Sequence, residues 1–126
     1  MEITAFNPLI LSPKADEIIA LFEELGFERR HTKTGIDDGN VDSIDMKDEN
    51  GFRVNVARVE QMPQDMTVIR LSVRDFDEAY DLLTARGFQN AQGGKVTDTG
   101  TSKAALLISP SGFAISLSQH IRKDGK

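Results

Sequence analysis

The chain has 126 residues, of which 39% are hydrophobic and 28% charged, so its length and composition suit one compact globular domain. Its formal net charge of −5 argues against nucleic acid and anionic membranes as partners, because both are bound through basic surface. The absence of cysteine excludes disulfides, zinc–thiolate sites, iron–sulfur clusters and a cysteine nucleophile.

The first half of the sequence predicts a strand, a helix and three further strands. The first strand covers about 5–11, and the helix covers about 14–25, where apolar residues recur at helical spacing. Gly26 ends this helix. The turns GIDDGN and DENG then separate three strands, predicted over 27–34, 41–47 and 52–59. The Asn50-Gly51 pair in the second turn is a strong hairpin signal.

The second half predicts the same order with looser turns. Alternating residues over 67–73 indicate a half-buried strand. Asp75, with Glu78 three residues later, predicts a capping box at the start of a helix that Gly87 ends. Turns at Gly93-Gly94 and around Gly100 follow, and the last two strands are predicted over 104–108 and 113–118.

A repeat at one fixed spacing relates the two halves. Three dipeptides recur 61 positions later: Asp16-Glu17 as Asp77-Glu78, Gly26-Phe27 as Gly87-Phe88, and Gly51-Phe52 as Gly112-Phe113. The sequence therefore predicts an α+β fold of two tandem βαβββ modules, over 1–62 and 63–120, in one structural domain. The charged residues 121–126 are predicted to form a flexible tail.

This repeated order resembles the vicinal oxygen chelate superfamily, which includes glyoxalase I, bleomycin-resistance proteins and extradiol dioxygenases. In LILSPKADEIIALFEELGF and IRLSVRDFDEAYDLLTARGF, a strand leads through an acidic cap to a helix ending in Gly-Phe. In NGFRVNV and SPSGFAISL, a turn leads into the last strand of each half. The resemblance implies a curved half-open barrel with helices on the convex side and a ligand on the concave side. It also implies a homodimer and a divalent metal held by the first and last strands of a module.

The positions that would hold this metal lack the usual ligands. They fall on Phe6 or Asn7 and Thr67 or Val68 in the first strands, and on Asn55 and Ser116 in the last strands. Divalent metals in proteins prefer carboxylates, imidazole or thiolate. The two histidines, His31 and His120, are interpreted as solvated strand ends. We therefore predict neither a metal nor another cofactor.

Strand alternation adds further side chains beside these positions. The predicted ligand-binding set is Phe6, Asn7, Arg53, Asn55, Val68, Arg70, Ser72, Ser116 and Ser118. The opposite faces of the same strands are apolar and suit packing under the helices. Two arginines among neutral hydrogen-bonding groups suit a carboxylate, a phosphate or an enolate-like group. The alternative is that both arginines pair with local carboxylates or reach solvent.

The sequence leaves three functions open. The favoured one is a metal-independent protein, similar to the bleomycin-resistance branch, that binds a small molecule in a concave pocket, with an anionic ligand as one candidate. The second is a metal-dependent or metal-free lyase or isomerase similar to glyoxalase I, with no catalytic residue assigned. The third is an interaction module with a vestigial pocket. No export signal and no long apolar stretch is recognised, so a cytoplasmic location is expected.

Overall fold

The computed structural model describes residues 1–36, 41–98 and 102–120. Within them the chain forms two helices and nine strands, so the α+β class is confirmed. The predicted tail 121–126, most of the turn GIDDGN, the turn at Gly100 and the side chains of both histidines lie outside the described residues.

The elements follow one another in two similar series. The first series is β1 (Ile3–Ser12), α1 (Ala15–Glu24), β2 (Glu28–Ile36), β3 (Val41–Lys47) and β4 (Arg53–Arg58). The second series is β5 (Met66–Val73), α2 (Phe76–Ala85), β6 (Gln89–Asn90), β7 (Thr97–Asp98), β8 (Ser102–Ile108) and β9 (Ala114–His120). Neither helix is long and apolar enough to cross a membrane.

These elements are distributed over two compact units. The first unit comprises Asn7–Val68, and the second unit comprises Met1–Phe6 together with the residues from Ile69 onward. Strand β1 therefore contributes residues 3–6 to the second unit and its remainder to the first. The backbone amide of Arg74 donates to the carbonyl of Glu2, which attaches the N-terminal residues to the second unit.

The sheet of the first unit has the strand order β2-β3-β4-β1. Strands β1 and β4 are parallel, with Leu9 opposite Asn55, and the other pairs are antiparallel. Helix α1 covers one face of this sheet because its apolar stripe needs a partner. The core under it contains the buried residues Ala15, Ile19, Ile44, Met46, Val54 and Val56.

The sheet of the second unit has the order β5-β9-β8-β6, and β7 also pairs with β8. Strands β5 and β9 are parallel, with Arg70 opposite Ser116. Helix α2 covers one face, and the core there contains Val73, Phe76, Ala79, Ala105, Leu107, Ile115 and Leu117. The predicted apolar faces of β4, β5 and β9 thus supply Val54, Val56, Val73, Ile115 and Leu117 to the two helix-covered cores.

One strand of the second unit is broken where the sequence predicted only loose turns. Strands β6 and β7 each have two residues and both pair with β8, at Gln89 with Ile108 and at Thr97 with Ala104. Between them Gly93 and Gly94 have φ values of 69° and 94°, which side chains with a Cβ rarely adopt. This segment therefore leaves the sheet and returns to it, whereas β2 in the first unit covers nine residues.

The helix starts differ between the units. The carboxylate of Asp75 accepts a hydrogen bond from the backbone amide of Glu78 at 3.2 Å, so the predicted N-cap of α2 is confirmed. At the corresponding position of α1 stands Lys14, whose side chain forms no cap hydrogen bond. The start of α1 therefore lacks a stabilising contact that the start of α2 has.

Candidate functional site

The sheet face of the first unit that points away from α1 carries polar groups. Residues directly opposite one another on neighbouring strands share a face. Leu9 on β1 lies opposite Asn55 on β4, and Asn55 lies opposite Asp45 on β3. We call Leu9, Asn55 and Asp45 the first-unit row.

A buried pair of amides is the central feature of this face. The Nδ2 group of Asn7 donates to Oδ1 of Asn55 at 2.8 Å, and also to the carbonyl of Pro8 at 2.8 Å. The exposed fractions of Asn7 and Asn55 are 4% and 8%. Because buried polar groups without partners are costly, this hydrogen bond fixes the side chains of two predicted site residues against each other.

Arg53 is paired with a carboxylate of the same face. Its Nη1 atom lies 2.8 Å from Oδ2 of Asp45, on the neighbouring strand β3. The exposed side-chain fractions are 44% for Arg53 and 24% for Asp45. Of the two expectations for this arginine, pairing with a local carboxylate is therefore the one observed. The positive charge of Arg53 is largely neutralised before any ligand is considered.

The corresponding face of the second unit carries a cation and hydroxyls. Arg70 on β5 lies opposite Ser116 on β9, which in turn lies opposite Leu106 on β8. We call Arg70, Ser116 and Leu106 the second-unit row. One step along the strands, the hydroxyls of Ser72 and Ser118 are 2.7 Å apart and hydrogen bonded.

The two remaining predicted site residues are apolar. Phe6, on β1, has an exposed fraction of 68%. Val68, on β5, is buried with an exposed fraction of 2%. The side chain of Val68 has no polar atom to offer a ligand. Its role in binding would therefore be limited to the shape of the surface.

The structure brings the predicted residues together in two sets. The first unit gathers Asn7, Arg53 and Asn55, and the second gathers Arg70, Ser72, Ser116 and Ser118. Asp45 joins the first set but was missed from the sequence. The signal that could have found it is the alternation of β3, in which Ile44 and Met46 are buried in the core and Asp45 must face the other way.

A divalent metal does not fit the amide pair. Oδ1 of Asn55 already accepts a hydrogen bond from Asn7, whose Nδ2 group would present protons, not a lone pair, to a cation. Arg53 adds a positive charge to the same face. Among the described residues there is no group of three or more His, Cys, Asp or Glu side chains that could hold a metal ion.

An exposed ion pair of the second unit shifts the pKa values of both its members. Nε and Nη2 of Arg74 donate to the two carboxylate oxygens of Glu2 at 2.7 and 3.0 Å. These hydrogen bonds, followed by the charge of Arg74, lower the pKa of Glu2, and the same contacts raise the pKa of Arg74. Neither residue belongs to the predicted ligand-binding set.

Solved structures of similar fold cover nearly the whole chain. A methylmalonyl-CoA epimerase is 19% identical, with a TM-score of 0.68 over 97% of this chain and 99% of its own. The methylmalonyl-CoA epimerase of Mycobacterium tuberculosis is 14% identical, with a TM-score of 0.72 over 96% of this chain and 91% of its own. A glyoxalase/bleomycin resistance protein/dioxygenase superfamily member from Vibrio splendidus 12B01 is 15% identical, with a TM-score of 0.61 over 91% of this chain and 97% of its own.

These similarities show the vicinal oxygen chelate fold, and the predicted resemblance is confirmed at that level. No protein-family model and no curated protein matches the chain. At such low identities the shared fold does not carry over a reaction or a ligand, because one fold supports many chemistries.

Proposed function

We propose that this protein binds a small molecule on the polar faces of its sheets, away from the helices, and does so without a metal ion. The observation that carries the proposal is the buried hydrogen bond between Asn7 and Asn55 at 2.8 Å. It occupies two positions at which the resemblance leads us to expect metal ligands. Two neutral amides bonded to each other are poor ligands for a divalent cation, which needs several free oxygen or nitrogen lone pairs.

An anionic group of the ligand would be bound by the second-unit row. Arg70 and Ser116 are direct neighbours across β5 and β9, so a guanidinium group and a hydroxyl can act on one carboxylate or phosphate. The hydrogen-bonded pair of Ser72 and Ser118 extends this polar surface along the strands. In the first unit Arg53 is paired with Asp45.

A lyase or isomerase similar to glyoxalase I is not favoured. The metal-dependent form needs a set of metal ligands, which the amide pair does not provide. The metal-free form needs a group that moves a proton, and the carboxylate of the first-unit row, Asp45, forms an ion pair with Arg53. Binding without chemistry requires neither feature.

The proposal also includes four further expectations. They are the two modules with their boundary at residues 62 and 63, the half-open barrel, the homodimer and the cytoplasmic location. The element order and the matching parallel pairs, Leu9 with Asn55 and Arg70 with Ser116, support two related modules. Analytical ultracentrifugation would test the homodimer, since a monomer at micromolar concentration would contradict it.

Metal analysis of the purified protein tests the central claim. The protein is purified without chelators and analysed before and after incubation with nickel, zinc, manganese and iron. We expect far less than one metal ion per chain and an unchanged melting temperature. One bound equivalent with a raised melting temperature would overturn metal independence.

A thermal-shift series of anionic metabolites on the wild type and Arg70→Ala tests the anion site. The proposed anion site is wrong if Arg70→Ala leaves every ligand-induced stabilisation unchanged.

A further inference from the structure

Asp45 carries a buried hydrogen-bond acceptor that nothing in the described part of the chain satisfies. Its Oδ2 atom pairs with Arg53, whereas Oδ1 is buried and accepts no hydrogen bond from any described residue. Buried polar atoms in folded proteins almost always have a partner, so an orphaned carboxylate oxygen calls for a physical reason. A ligand that donates a hydrogen bond to this oxygen would supply one.

Asn55, directly opposite Asp45, offers the complementary group. Its Oδ1 atom accepts a hydrogen bond from Asn7. Within the described residues, its Nδ2 group donates no hydrogen bond. An amide nitrogen can donate two hydrogen bonds. The face therefore presents an acceptor on β3 and a donor on β4, on directly opposed residues whose side chains lie close together.

The charges of this face favour a neutral ligand group. An anion placed here would meet the carboxylate of Asp45 and could not donate to its Oδ1 atom. A cation would meet Arg53, which already holds Oδ2 of the same carboxylate at 2.8 Å. Leu9, the third member of the first-unit row, is apolar and only partly buried. It can contact a hydrocarbon part of the same ligand.

We propose that Asp45 and Asn55 together recognise a neutral ligand group with a hydrogen-bond donor beside a carbonyl acceptor, such as a primary carboxamide or a lactam. The N–H of the ligand donates to Oδ1 of Asp45, and Nδ2 of Asn55 donates to the ligand carbonyl. This assignment rests on the proposed metal-free binding function and adds the chemical class recognised by the first unit.

The carboxylate is accessible enough to take part. The side chain of Asp45 is 24% exposed, although its Oδ1 atom is buried. A partial rotation about the Cβ–Cγ bond, whose torsion is broad, would turn Oδ1 toward the exposed side of the carboxylate. The half-exposed guanidinium of Arg53, which has five N–H donors, can remain bound through such a rotation.

Three matched probes test the assignment by amide NMR titration of the full chain at millimolar concentration. Benzamide has both donor and acceptor, N,N-dimethylbenzamide keeps only the acceptor, and benzoate replaces the neutral group by an anion. We expect benzamide to shift the signals of β3 and β4 around Asp45 and Asn55. We expect the other two probes to leave these signals unchanged, because neither donates a hydrogen bond to Asp45.

Two variants separate the role of Asp45 from the general effect of removing an ion-paired carboxylate. Asp45→Asn should weaken benzamide binding about fivefold, since a charge-assisted hydrogen bond becomes a neutral one. Asp16→Asn is the matched control: Nη2 of Arg58 lies 2.6 Å from Asp16, a residue of α1 outside the proposed site. The control should bind benzamide as the wild type does.

The proposal is overturned if benzamide leaves β3 and β4 unshifted, or if N,N-dimethylbenzamide shifts them as strongly. It is also overturned if Asp45→Asn folds and binds benzamide as tightly as the wild type does. If Asp45→Asn does not fold, the three probes on the wild type decide alone. If benzamide leaves β3 and β4 unshifted while benzoate shifts β5 and β9, this inference fails and the proposed function stands. Stoichiometric metal in the separate elemental analysis would instead overturn the proposed function.

Discussion

The two units place different polar groups on the same strand framework. Each row crosses three strands in the same pairing pattern, and each member of the first-unit row is 61 residues before its counterpart in the second-unit row. The charged and the apolar ends of the two rows are reversed. Leu9 in the first unit corresponds to Arg70 in the second, and Asp45 corresponds to Leu106.

The helix-covered sides of the sheets differ much less. Met46 in the first unit and Leu107 in the second are both fully buried and 61 positions apart. Packing under a helix accepts any apolar group of suitable volume, so these positions keep their character. Both helices of the described residues pack on the core side of the sheets, so the opposite faces are free to differ. This contrast is why we assign ligand recognition to the polar faces and stability to the helix-covered ones.

The largest expected effect is on the helix-covered sides. Met46→Ala and Leu107→Ala should each lower the free energy of unfolding by about 2–5 kcal/mol, because each leaves a cavity in a fully buried core. Urea titration followed by circular dichroism measures both values. Similar losses would support the likeness of the two cores, and a loss below that range in one variant would show that its core collapses around the smaller side chain.

Breaking the amide pair should have the next largest effect. Asn7→Leu leaves Oδ1 of Asn55 buried without a donor, and we expect a loss of about 1–3 kcal/mol in unfolding free energy. Replacing both amides by leucine should cost less than the sum of the two single changes. Ser72→Ala, which breaks the less buried serine pair, is the matched change in the second unit. Ser72→Ala should lower the free energy of unfolding by less than Asn7→Leu does. An equal loss would contradict the stated difference between the polar faces of the two units.

The helix caps provide a smaller test of the same kind. Asp75→Ala should destabilise the protein by about 1 kcal/mol, because the backbone amide of Glu78 loses its acceptor. Lys14→Ala at the corresponding position of α1 should change stability much less, since Lys14 forms no cap hydrogen bond. Thermal unfolding of both variants measures the difference. A larger effect at Lys14 would show that the uncapped helix start has another stabilising contact.

The smallest effect is expected from the exposed pair of Glu2 and Arg74. The pKa of Glu2 is lowered in the folded protein by hydrogen bonds to Arg74 and then by its charge. The stabilisation is therefore present above the unfolded-state pKa of Glu2 and lost as pH falls through the folded-state value. The wild type should melt slightly above Glu2→Gln at neutral pH and together with it in acid. A gap that persists in acid would contradict this ionic origin.

Short-range signals in the sequence predicted much of each unit. Alternation identified the core-facing residues of β4 and β9, and helical spacing located α1 and α2 to within a residue or two at each end. Asp75 was predicted as an N-cap from residues three positions apart, which is a local relation. The turn before β4 was predicted from Asn50-Gly51, and Gly51 has a φ of 91°. Each of these features depends on neighbours within one or two turns of chain.

The contacts that define the candidate site were decided by tertiary structure. Asn7 and Asn55 are 48 residues apart, and their hydrogen bond depends on the parallel register of β1 and β4. The register of β3 against β4 places Asp45 in the site, where it pairs with Arg53. By itself the sequence determined which residues face the helices and where turns occur, because propensity and periodicity are local. Only the pairing of distant strands decided which polar side chains meet, because a shift of one residue would turn each of them to the other face.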